Sequence, residues 1–218
     1  MKIVIFGASG KTGRLLVEQG LAAGHIVTAF VRDLAKLPQR HERLRLVQGD
    51  IYVAASVDSA IAGQEAVICA LGPQKGGPKD IMAVSAYHIL HGMEKCGVRR
   101  LVTILGAGVG DPNDQPGLID KAIKALIRLF AHEAWEASLR HAASVRASET
   151  DWVLVRVPML TDTAREALAE VSSDKGRIRI GYLGTGAGNR ICREDLAAFV
   201  LQQLEDDTYL HKAPVISN

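Results

Sequence analysis

The chain has 218 residues, 48% of them hydrophobic and 23% charged, with a formal net charge of +2. That balance excludes a disordered or collagen-like chain and gives no electrostatic footprint for nucleic acid or an anionic membrane surface. No apolar stretch approaches the length of a membrane span, so we expect a single α/β domain over 1–218 with one substantial core and no membrane partner.

The first element is an apolar run, Lys2-Ile3-Val4-Ile5-Phe6, followed at once by Gly7-Ala8-Ser9-Gly10-Lys11-Thr12-Gly13 and then by a helical pattern from Arg14. Strand, glycine turn and helix in this order suit a dinucleotide pyrophosphate. The backbone must approach closely, and the free N–H groups at a helix start must point at the phosphates. The spacing is G-x-x-G-x-x-G rather than the G-x-G-x-x-G of the ordinary fingerprint. A run of four apolar residues interrupted by glycine is a buried strand rather than a signal peptide.

A second strand-like run, 25–31, ends in Arg32-Asp33. Enzymes that prefer NAD place an acid near this point, about 20 residues beyond the glycines. Here the tip residue is Arg32, with Lys36 one turn further on, and guanidinium suits a ribose 2′-phosphate. NADP is therefore expected over NAD, with Asp33 read either as a complication or as a helix cap.

Further strands are expected at 44–48, 66–71, 100–105 and 152–157, with helices at 80–96, 118–148 and 193–204 and a terminal strand at 213–217. The long helical stretch should break near Ala131-His132. Near-continuously apolar strands alternating with helices predict a Rossmann-like doubly wound parallel sheet covered on both faces. Residues 161–190, richer in Gly, Thr and Ser, read as a small substrate-side lobe.

Ligands of such sheets bind beyond the carboxyl ends of the strands. The cofactor candidates are therefore Gly7, Ser9, Gly10, Lys11, Thr12, Gly13, Arg32, Lys36, Asp50, Ile51, Leu71, Gly72 and Pro73. Asp50 is either an acceptor for the adenine amine or a turn residue. The substrate pocket is expected at Leu105, Gly106, Pro158 and Met159, which is apolar and suits a planar acceptor. His132, Glu133 and His141 lie in the helical region that should border this pocket; a histidine there is either a proton donor near neutral pH or, as we read it first, a solvent-facing helical residue. Trp135 reads as a core or interface residue. His88 and His91 lack a third ligand nearby, so no metal is expected. The glycine-rich 181–189 stretch lacks the lysine ending of a phosphate loop and reads as a mobile loop. Residues 121–130 carry a basic stripe and an apolar one. The alternatives for that helix are packing on the domain, a lid, or the face of a homodimer. Cys69, Cys96 and Cys192 form no framework, which points to the reducing cytoplasm.

Taken together, the glycine turn, Val31-Arg32-Asp33, Gly49-Asp50-Ile51, Ala70-Leu71-Gly72, Asp151–Val157 with Pro158, and Arg193-Glu194-Asp195-Leu196-Ala197 resemble the atypical short-chain dehydrogenase/reductases. The similarity lies in their NmrA-like, NAD(P)H-binding branch, and covers nearly the whole chain. Within it the arrangement is similar to the flavin reductases that also reduce biliverdin-IXβ. That resemblance implies NADPH held through Gly10, Lys11, Thr12, Arg32 and Lys36, and flavins or tetrapyrroles as substrates. The chain also departs from the pattern. Its four tyrosines, Tyr52, Tyr87, Tyr182 and Tyr209, have no Lys four residues later, the family's fifth-strand Ser is missing, and the flavin reductases' substrate-side His is missing near Met159. The expected activity is reduction of a flavin, quinone or similar planar acceptor, without the Tyr-Lys pair. The alternative is an NADP(H)-binding redox sensor that does not turn over.

Overall fold

In the computed structural model, residues 1–74, 76–162 and 178–218 are described. Strand β1 (Lys2–Phe6) leads through the glycine turn into helix α1 (Lys11–Ala22). Then come β2 (Ile26–Val31), β3 (Leu44–Gln48), α2 (Ala54–Ile61), β4 (Ala66–Cys69), α3 (Ile81–Cys96) and β5 (Arg100–Gly106). Helices α4 (Leu118–Phe130) and α5 (His132–Ala147) follow, then β6 (Asp151–Val157), β7 (Met159–Thr161), β8 (Arg179–Gly181), β9 (Arg190–Cys192), α6 (Arg193–Gln202) and β10 (Val215–Ser217).

Among the described residues the main sheet has eight strands in the order β3-β2-β1-β4-β5-β6-β10-β8, parallel except for β8 against β10. This is the doubly wound arrangement expected from the sequence. The chain order reverses between β1 and β4, and a crevice opens there at the carboxyl ends of the strands. Alternate residues of one strand serve opposite faces. Ile3 and Ile5 pack with Leu16 and Val17 of α1 and Leu196 and Val200 of α6, while Val4 and Phe6 pack with Ile61 of α2, Met82 and Ile89 of α3 and Ala142 of α5. Burial on both faces is the reason these strands read as continuous apolar runs.

The long helical stretch breaks at Ala131, which has φ −136° and ψ 34° and ends α4 as it begins α5. Of the 161–190 segment, residues 163–177 lie outside the described residues. The rest supplies β8 to the edge of the main sheet, while β7 and β9 pair separately. The 181–189 stretch was expected to be a mobile loop. It is instead a tight turn closed by reciprocal Tyr182–Thr185 hydrogen bonds of 2.9 and 3.0 Å. Gly184, with φ +78°, packs so closely on Gln115 that an added Cβ would lie 1.8 Å from its carbonyl oxygen.

Candidate cofactor site

The glycines of the turn divide into two kinds. Gly7 has φ +84°, and an added Cβ would sit 2.7 Å from the Ala70 carbonyl oxygen. A Cβ on Gly13 would sit 2.1 Å from the Gly7 oxygen and 2.7 Å from the Ala8 Cα. Both glycines let backbone pack on backbone. Gly10 differs: its backbone is extended, at φ −73° and ψ 168°, and an added Cβ meets only the Gly7 oxygen, at 3.3 Å. Gly10 occupies the N-cap position of α1, and no side chain caps it. The orphan N–H groups of the first helical turn are thus left for an external acceptor.

These residues open on a cavity of about 160 Å³. It is lined by Gly7, Ser9, Gly10, Arg32, Ile51, Leu71 and Gly72, all expected from the sequence, and also by Phe30, Val31, Ala70, Gln74 and Ile81. Lys11, Thr12, Gly13, Lys36, Asp50 and Pro73 are not among its walls. Gly13 lies beneath the turn. The Asp50 Oδ1 accepts the Tyr52 N–H at 3.0 Å, which gives that carboxylate its turn role. The Tyr52 hydroxyl donates to Asp80 Oδ1 at 2.7 Å, and burial followed by this bond pushes the phenol up to about 12. His88 Nδ1 donates to the Ile51 carbonyl at 2.6 Å, so α3 holds the 50–52 turn at two points.

Arg32 reaches over the cavity, and its Nη2 donates to Gln74 Oε1 at 3.1 Å. Asp33 turns the other way. Its Oδ1 accepts the Ala35 N–H at 3.0 Å and caps the short helix Leu34–Lys36. Arg14, which the sequence reading passed over, ties this region together: Nε donates to the Ser9 carbonyl at 3.2 Å and Nη2 to the Lys36 carbonyl at 2.6 Å. Lys11 extends across to Asp162 at 2.5 Å, and Arg193 bonds the same carboxylate. The Lys11 bond leads the effects that hold the Asp162 carboxyl below its usual range.

The four expected substrate residues do not form one wall. None lines the glycine-turn cavity. Leu105 is 3% exposed and belongs to the core beside α3 and α5, so its expected pocket role is corrected. The alternation of β5 sends it inward while Gly106 is exposed at the tip. Met159 is exposed and Pro158 half-buried.

The tyrosines lie elsewhere. Tyr87 stacks on His91 on the outer side of α3, Tyr209 packs on Phe199, and Tyr182 lies beneath the Arg156 guanidinium at 5.7 Å. His132 and Glu133 are exposed, and Glu133 pairs with Lys79 at 2.9 Å. His141 overturns its solvent-facing reading. It is 1% exposed, with Nε2 2.9 Å from Thr103 Oγ1 and Nδ1 2.9 Å from the Met82 carbonyl. Burial, against the opposing Met82 bond, lowers its pKa to about 4. It is a neutral tie between α5, α3 and β5, not a proton donor at the cleft. Among the described residues no group of three His, Cys, Asp or Glu side chains could hold a metal ion. No described helix is long and apolar enough to cross a membrane.

Comparison with known proteins agrees with this geometry. A family profile described as NAD(P)H-binding matches residues 7–207. A 3-diazoavenalumate denitrifying reductase from a Streptomyces species is 26% identical over 227 residues, covering 95% of this chain and 73% of its own. An oxidoreductase from Lactococcus lactis superposes with a TM-score of 0.79 at 18% identity, over 100% of this chain and 91% of that one. A short-chain dehydrogenase/reductase from Veillonella parvula, solved in complex with NADP, superposes with a TM-score of 0.77 at 17% identity, over 100% and 94% of the two chains.

Proposed function

This chain belongs to the NAD(P)H-binding family, and on that premise we propose that it is an NADP(H)-dependent reductase of a flavin, a quinone or a similar planar acceptor. The cleft fits the cofactor by a direct test: the space a side chain on Gly10 would fill is the space beside the free N–H groups of α1. Gly7, Ser9, Gly10 and the start of α1 would hold the pyrophosphate, Ile51 would flank the adenine, and Gly72 would let the chain pass close to the nicotinamide ribose. Arg32 supports a 2′-phosphate, because Asp33 is engaged with Ala35 and does not offer its carboxylate to a ribose hydroxyl. The Veillonella neighbour's NADP and the Streptomyces relative's reductase name support the same reading.

The observation that carries the choice of acceptor is the tip of β5. There Gly106 is exposed while Leu105 and Ala107 are buried, none of the three has a hydroxyl, and Tyr52, Tyr87 and Tyr209 are engaged at other places in the fold. The bound cofactor supplies a hydride. A carbonyl receiving it needs a proton on oxygen in the same step, and a positioned acid supplies that. A conjugated flavin or quinone takes the hydride into its ring system and can be protonated by water afterwards. The protein's task is then to bind, orient and stack the two rings. Gly106 and Met159 are exposed, and neither carries a hydroxyl or an ionisable group that could donate a proton. The free cysteines Cys69, Cys96 and Cys192 suit a reducing cytoplasm.

Steady-state NADPH oxidation by the purified protein against flavins, quinones and carbonyl compounds tests this reading. Turnover with flavins or quinones and not with carbonyls is expected. Tight NADPH binding without turnover on any of them would replace the enzyme with a redox sensor.

A further inference from the structure

Helix α4 displays its apolar side to solvent. Leu118 is 85% exposed, Leu126 56%, Leu129 73% and Phe130 80%. At 100° per residue, these four, together with Ile123, Ala122 and Ala125, fall on one side of the helix, while Asp120, Lys124, Arg128 and Lys121 share the other. The helix is anchored at both ends. Upstream, Asp114 grips Arg156 through two bonds of 2.7 and 2.8 Å, and the Gln115 N–H donates to the Leu183 carbonyl at 2.7 Å. Downstream, Ala131 turns directly into α5, which is rooted in the core through Ala137, His141, Ala142 and Val145. Its orientation is fixed as well. Lys124 and Arg128 lie 5.8 and 5.9 Å from the centre of the Trp135 ring on α5. The cationic side is therefore turned toward its own chain and the apolar side away from it.

The exposed apolar side chains amount to roughly 700 Å², above the few hundred that a soluble monomer ordinarily shows in one patch. A standard protein interface covers about 800 Å² per partner. We propose that α4 is a homodimer face, on which a second copy lays its own α4 across Leu118, Leu126, Leu129 and Phe130. A two-fold axis pairs the same patch with itself. An anionic lipid surface fits less well, because two of the three cations are folded onto Trp135 instead of flanking the apolar side. This inference does not depend on the cofactor or the acceptor.

Sedimentation equilibrium of the full chain from about 1 to about 100 µM tests it, since an interface of this size supports micromolar association or tighter. A dimer is expected. Leu126→Glu and Phe130→Glu, both at exposed positions, should each weaken association by about a hundredfold or more while circular dichroism and melting stay as in the wild type. Lys121→Glu on the opposite side should leave the equilibrium within about threefold. A wild type that is monomeric throughout, or variants that dimerise as the wild type does, would overturn the proposal. Binding of a monomer to phosphatidylglycerol vesicles, lost in Leu126→Glu, would overturn it in favour of a membrane.

Discussion

Gly10→Val and Gly13→Ala separate the ligand's requirements from those of the fold. At Gly13 a single added carbon would stand 2.1 Å from one backbone atom and 2.7 Å from another. Neither can swing aside, so the turn must open and its packing on β1 is lost. Overpacking of this kind costs about 3 kcal/mol or more, a large fraction of the ~5–15 kcal/mol that holds a domain together. At roughly 2–4 °C per kcal/mol for a chain of this size, Gly13→Ala should melt about 10 °C lower or fail to fold. At Gly10 the backbone is one that any residue adopts, and the nearest contact is 3.3 Å. That small strain is offset by the lower entropy of the unfolded chain, worth about 0.4–1 kcal/mol. Gly10→Val should therefore melt within a few degrees of the wild type. On the proposed cofactor assignment, however, its side chain would occupy the place of the pyrophosphate. Losing two charge-assisted bonds of about 1.5–3 kcal/mol each removes a hundredfold or more of affinity. Calorimetric titration with NADPH, beside thermal melts followed by circular dichroism, reads both effects. A folded Gly10→Val that binds NADPH normally would refute the phosphate assignment. A Gly13→Ala that melts like the wild type would refute the division between the two glycines.

Arg32→Ala should weaken NADPH by about tenfold or more and leave NADH nearly unchanged, as one charge-assisted bond to the 2′-phosphate is lost; equal losses by calorimetry would assign Arg32 another role. His141 is held near pKa 4 in the folded chain, against 6.5 when unfolded. Above pH 6.5 both states are neutral and the shift has no effect. Below it the unfolded chain takes up the proton first, so up to about 3 kcal/mol of stability should drain away between pH 6.5 and 4. Urea melts of His141→Gln should start from lower stability at neutral pH and lose less over that window, and an unchanged acid slope would contradict the assignment. His132→Ala and Tyr87→Phe should keep NADPH oxidation within about tenfold, well under the ~10²–10⁴ contributed by a positioned general acid; a hundredfold loss with normal cofactor affinity would expose a proton donor there.

The parts of this protein that depend on near neighbours in sequence could be read without coordinates. Residues 44–48 and 2–6 form strands within the expected bounds, and the helical break falls at Ala131, where an amphipathic pattern ends against His132. The glycine turn was legible because strand, glycines and helix are contiguous. Helix α2 was not expected: Ala54–Ile61 is a short segment of small and β-branched residues that packing against α3 makes helical. Strands β8 and β9 have three residues each and exist through partners at 215–217 and 159–161. Arg14, Gln74 and the burial of His141 depend on contacts across the fold, to Lys36, Arg32 and Met82. In sequence Leu105 and Gly106 read as one pocket wall, but adjacent strand residues point to opposite sides. The apolar stripe of α4 was visible in the sequence; its direction, away from the domain, was not.

We propose hydride transfer to a conjugated ring without an acid from the protein. Single-turnover oxidation of NADPH by flavin mononucleotide measures it directly, with the cofactor deuterated at the transferred position and pH varied from about 6 to about 9. A slower step is expected with the deuterated cofactor, with a rate that changes by less than about threefold across the pH range. A bell-shaped pH profile, or transfer to carbonyl acceptors alone, would contradict it.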